Sequence, residues 1–116
     1  MARRTRVYIA GPMTGSGNPY HNIHDGLATG ALLLDRGYAP FIPHLTATLE
    51  MAQGPRDMEV WLSYDKAFLL SCDALLRRPG VSPGADKEVQ WALEAGIEVY
   101  YSLDSLCASE KTTRPA

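Results

Sequence analysis

Short apolar, β-prone runs alternate along this chain with longer segments of helical periodicity, and that alternation limits the fold more than any other feature. The first run, Val7-Tyr8-Ile9-Ala10, is stopped by Gly11-Pro12 and reads as a buried strand; a loop rich in Gly, Ser, Asn and Pro follows to about Pro19. Asn22 can cap a helix, with Asp25 three residues on, and Ile23, Leu27, Ala31 and Leu34 share one helical face that ends before Gly37. Tyr38 to Ile42 reads as a second strand, with Pro40 suggesting a sheet edge. His44 to Arg56 reads as loop or irregular helix. A further helix is expected from near Asp57, with Met58, Leu62, Asp65, Leu69 and Cys72 on one stripe and Trp61 and Phe68 beside it. Asp73 to Leu76 is a third strand. Ser82-Pro83 gives an N-cap and a proline at the first helical position, Ala85, Val89, Ala92 and Leu93 give that helix its apolar face, and Gly96 ends it. Ile97 to Tyr101 is a fourth strand, Leu103 to Cys107 a short helix, and the tail from Ala108 is expected to fray.

The expected fold is therefore α/β: a single Rossmann-like (flavodoxin-like) domain over residues 1–107, with four to five mostly parallel strands and helices on both faces, and a frayed tail over 108–116. Ligands of such sheets collect beyond the carboxyl ends of the strands, which directs attention to the loops after Ile9, Ile42 and Leu76. A chain of 116 residues fits one domain, and 46% apolar with 21% charged residues is ordinary globular composition. The net charge of −2 argues against a polymeric nucleic-acid partner, and Arg3, Arg4 and Arg6 are too few for a basic arm. No apolar run approaches a membrane span or the core of a signal peptide. Cys72 and Cys107 form no CxxC pair and have no histidine at ligand spacing, so no structural metal is expected. A cytoplasmic setting is the expectation.

Three features can carry chemistry. Asp65 falls within an apolar stripe, where a carboxylate is either paired or used, unless a shifted helix register leaves it in water. Glu88 lies six residues after Ser82, where the amino end of a helix favours a negative side chain; helix-start electrostatics alone also accounts for it. The loop Gly11-Pro12-Met13-Thr14-Gly15 lets backbone approach a phosphate or sugar, but it is neither GxGxxG nor a P-loop, and a plain turn is the alternative. Tyr8 reads first as core, His44 as a surface residue near the end of the second strand, and Trp61 and Trp91 as core or interface aromatics. His21 and His24 show no metal pattern.

Taken together, Tyr8 to Gly15, the spacing of Asp65 eight residues before Asp73, the segment Gly80-Val81-Ser82-Pro83-Gly84-Ala85-Asp86-Lys87-Glu88, and Gly96 ahead of a strand resemble the nucleoside 2-deoxyribosyltransferase-like proteins, especially their small phage and bacterial members. The likeness runs from about Val7 to Tyr101. It implies Glu88 as nucleophile, Asp65 as acid/base or orienting partner, Tyr8 as hydrogen-bond donor to the nucleophile, and Gly11, Pro12, Met13, Thr14, Gly15, His44, Ser82 and Gly84 around the substrate. Ser82 stands where transferases of free nucleosides carry an acidic residue, as in the related 2′-deoxynucleoside 5′-monophosphate N-hydrolases. Pro12 and Thr14 depart from the Ser and Arg usual in the hydrolases, and the chain is shorter than typical members of either group. His44 falls where the hydrolases place a histidine near the base.

The resemblance thus implies cleavage of the N-glycosidic bond of a 2′-deoxynucleoside 5′-monophosphate through a Glu88 glycosyl intermediate. Transfer of deoxyribose to another base, and a non-catalytic nucleotide-binding module, stay open. The chemistry needs carboxylates and no metal or organic cofactor. A homodimer or dimer of dimers is implied because the family completes its sites across subunits.

Overall fold

The computed structural model describes residues 3–13 and 17–110. Strand β1 (Arg6–Ala10) sits inside a four-stranded, all-parallel sheet of order β2-β1-β3-β4, with β2 (Ala39–Phe41), β3 (Ala74–Arg77) and β4 (Glu98–Tyr100). This is an α/β Rossmann-like fold, its strand order that of flavodoxin-like sheets. Alternate residues of β1 serve opposite faces, as the pleat requires. Val7 and Ile9 pack with Leu33, Tyr38, Leu76 and Leu106, beneath α1 (Pro19–Asp35) and α5 (Leu103–Glu110). Tyr8 and Ala10 pack with Leu69, Leu75, Ala85 and Ala92, beneath α3 (Met58–Leu69) and α4 (Pro83–Glu94). β2 is an edge strand, which accommodates Pro40. Among the described residues no helix is long and apolar enough to cross a membrane.

Several boundaries differ from the sequence reading. The cap of α1 is Asn18, not Asn22: its side chain accepts from the Tyr20 and His21 amides at 2.9 and 3.3 Å, and Pro19 opens the helix. The buried face of α1 is Gly26, Gly30 and Leu33, whereas Leu27, Ala31 and Leu34 are exposed. The reason is close approach. A Cβ on Gly26 would lie 2.7 Å from the His44 ring, and one on Gly30 2.2 Å from Ile42. Two glycines together with Leu33 seat this helix. The segment after β2 is ordered as a 3₁₀ turn (Pro43–Leu45) and α2 (Thr46–Gln53). Residues 108–110 continue α5 rather than fray, and 111–116 lie outside the described residues.

Candidate active site

β1 and β3 end beside one another, with β2 leaving on one side of β1 and β4 lying beyond β3. Their loops diverge there, as expected at the switch point of a doubly wound sheet. A cavity of about 410 Å³ opens there. Gly11 and Met13 line it from the first loop, His44 from the 3₁₀ turn, Asp65 from α3, and Ser82, Gly84 and Glu88 from the start of α4.

Tyr8 is fully buried below this cavity, and its hydroxyl donates to Glu88 Oε2. Ser82 caps α4, which puts Glu88, six residues on, in the second turn: the Ser82 Oγ accepts from the Ala85 amide at 3.1 Å, and its carbonyl accepts from the Asp86 amide at 3.0 Å. Pro83 has no N–H to lose, and the Gly84 N–H has no partner within the helix, so it remains a donor at the cavity wall. Arg77 braces the loop between β3 and α4. Its guanidinium donates to the Arg78 and Gly80 carbonyls and meets Asp86 at 3.0 Å.

Asp65 and Glu88 are both 8% exposed. Burial pushes the Asp65 carboxyl up to about 6, and Asp65 Oδ1 has no hydrogen-bond partner among the described residues. Burial pushes Glu88 up to about 7; the Tyr8 hydroxyl opposes this, the charge of Asp65 adds to it, and Arg77 opposes it. Tyr8 itself is held protonated, chiefly by burial and then by the two carboxylates. The arrangement thus offers two carboxyl groups on one cavity, one braced by a phenol and one with an unused oxygen, both raised toward neutrality. Such a pair can supply one ionised and one protonated group to the same substrate.

His44 is buried rather than on the surface. Its Nε2 lies 3.1 Å from the Pro12 carbonyl, which can only accept, so the proton sits on Nε2 and Nδ1 is left as an acceptor. Burial lowers its pKa and keeps the ring neutral. The Gly26 gap in α1 is what admits the ring. Pro12 does not line the cavity; it packs against Gly80 and holds His44 through its carbonyl. Thr14 and Gly15 lie outside the described residues.

The α2–α3 corner contributes residues that the sequence did not single out for the site. Glu50, Arg56, Met58, Trp61 and Leu62 line the outer part of the cavity. Trp61 had signalled only a core or interface aromatic, and no residue of α2 is buried, so no periodic stripe marked Glu50. Among the described residues no three His, Cys, Asp or Glu side chains form a group able to hold a metal ion. In comparisons with known proteins, no curated protein matches the chain. The model of one family, a domain of unknown function (DUF7768), matches residues 5–102, and the chain belongs to that family.

Proposed function

We propose that this protein cleaves the N-glycosidic bond of a 2′-deoxynucleoside 5′-monophosphate with retention, as a relative of the nucleoside 2-deoxyribosyltransferase-like proteins. The observation that carries the reading is the Tyr8 hydroxyl bonded to Glu88, which lines one cavity together with Asp65 and its unpartnered carboxyl oxygen. In the first step the Glu88 carboxylate attacks C1′. The C1′–N bond breaks, its electron pair goes to the base nitrogen, and the Asp65 carboxyl donates a proton to the departing base. In the second step water attacks C1′, Asp65 takes its proton, and Glu88 is released with sugar phosphate as product. The Tyr8 hydroxyl orients Glu88 and spreads its charge.

The start of α4 supports a phosphate at the 5′ position. The Ser82 hydroxyl proton is free to donate because its oxygen is the acceptor in the cap, and Gly84 in the first turn lines the same cavity. A homodimer or dimer of dimers fits the exposed rings of Tyr64 and Phe68 on α3 and the exposed Leu27 and Leu34 on α1. The setting proposed is cytoplasmic, with no metal or organic cofactor in the chemistry and no polymeric nucleic acid or membrane as partner.

A product screen over common and modified deoxynucleoside monophosphates, read by mass spectrometry, tests the reading. Free base plus deoxyribose phosphate is the expected result. A new nucleoside on adding a second base assigns transfer instead. Binding without any product overturns the catalytic reading.

A further inference from the structure

Where in the cavity a base would lie follows from α3. Asp65 must stand near the glycosidic nitrogen if it protonates the leaving base. Trp61 is one turn earlier on the same helix, about 6 Å away along the axis, a span comparable to the width of a nucleobase. Glu50, bonded to Trp61, lines the cavity beside it. Glu50 Oε2 accepts from the Trp61 indole N–H at 2.6 Å and from the Arg56 amide at 3.0 Å. The Arg56 guanidinium in turn donates to the Gln53 and Gly54 carbonyls at 3.0 and 2.7 Å, so the corner is braced on three sides. Glu50 Oε1 has no hydrogen bond among the described residues.

Those bonds hold the Glu50 carboxyl below its ordinary range, so it is ionised at neutral pH and is an acceptor only. Met58, Trp61 and Leu62 make the adjoining wall apolar or aromatic and suit a planar ring.

We infer that Glu50 reads the edge of the base remote from the sugar and selects bases that present amino donors there, guanine, adenine and cytosine, over thymine. The inference rests on the nucleotide reading above and specifies its substrate. An amino group gives the carboxylate oxygen a hydrogen; guanine adds its ring N–H beside it. Thymine offers a ring N–H flanked by two carbonyl oxygens, which the anionic oxygen repels. Glu50 is a specificity residue here and takes no part in bond breaking.

The test uses the full chain carrying Glu88→Gln, so that binding is read without turnover, with calorimetric titration of dGMP, dAMP, dCMP and dTMP. The amino-bearing nucleotides should bind about tenfold or more tightly than dTMP, the size expected of a hydrogen bond to a charged group. Adding Glu50→Gln keeps an oxygen for Trp61 and Arg56 and turns the free position into an N–H donor. That double variant should lose the preference or favour dTMP, while an unchanged melting temperature shows the corner intact. Equal binding of all four nucleotides, or a preference that Glu50→Gln leaves untouched, overturns the inference. Absence of binding by any nucleotide overturns it together with the nucleotide reading. Discrimination in binding with no turnover by the wild type upholds Glu50 and defeats only the catalytic assignment.

Discussion

The two ends of the sheet treat their carboxylates in opposite ways. At the amino end, Asp73 precedes β3 and is held by Arg3 through two bonds of 2.7 Å and by the Arg6 amide at 2.8 Å. Those bonds, the Arg3 guanidinium first, keep its carboxyl below the usual range. At the carboxyl end, Asp65 and Glu88 are buried without a cation in hydrogen-bond contact, and both are pushed upward. One end is arranged for stability, with charge paired where water still reaches it. The other sets stability aside, because burying ionisable groups without full compensation is costly. The contrast marks the carboxyl end as the candidate site independently of any motif, because charge there is concentrated and left partly unsatisfied.

The strongest consequence concerns turnover. Glu88→Gln keeps the Tyr8 hydrogen bond and the shape of the site but removes the attacking charge; kcat should fall by about 10³-fold or more. Asp65→Asn should lower it by about 10²-fold or more, as expected for loss of a general acid. The two groups titrate as a pair, so wild-type kcat should peak between about pH 6 and about pH 7 and fall on either side. Steady-state rates across that range check both variants.

Stability should move the other way. A carboxyl whose folded pKa is raised binds its proton more tightly in the folded chain, so stability declines as pH rises from the unfolded value toward the folded one. Glu88 is raised from 4.5 to about 7, so above neutrality its charge costs the fold about 3 kcal/mol. Glu88→Gln should therefore be more stable than wild type at about pH 8 and lose that advantage at about pH 4. Denaturant melts at the two pH values decide this.

A smaller effect is expected at the phosphate. Unit charges 4 Å apart interact by about 4 kcal/mol at an effective dielectric near 20, and solvent reduces the net cost. Ser82→Asp should therefore shift the preference from monophosphate toward free nucleoside by about tenfold or more. Competition between the two substrates on both proteins measures it. Smallest is the amino end. Asp73→Asn should lower the melting temperature slightly at neutral pH. The difference should vanish in acid, because a depressed pKa contributes stability above the unfolded value and loses it as pH falls through the folded one.

Much of this was legible locally. The strands around Ile9 and Leu75 and the cap at Ser82 depend on short-range pattern, and Ser82 alone fixes where Glu88 falls on α4. Asp65 announced itself as a charge in an apolar stripe. The register of α1 was not legible, because Gly26 and Gly30 are chosen by His44 and Ile42, residues that meet them only in the folded chain. His44 reads as a surface residue in the sequence but is buried in the fold for the same reason: the space that buries it belongs to another helix. The Glu50–Trp61 bond joins two helices through a turn at Gly54 and leaves no periodic trace.

The proposed mechanism requires that Glu88 form a covalent bond to C1′ of the sugar. Incubating the wild-type chain with a slow-reacting 2′-fluoro deoxynucleoside monophosphate and mapping the product by peptide mass spectrometry tests it most directly. One sugar-phosphate adduct is expected, on the peptide carrying Glu88, absent from Glu88→Gln and released slowly by water. Turnover of natural substrate with no adduct at Glu88, or an adduct that persists in Glu88→Gln, would contradict it.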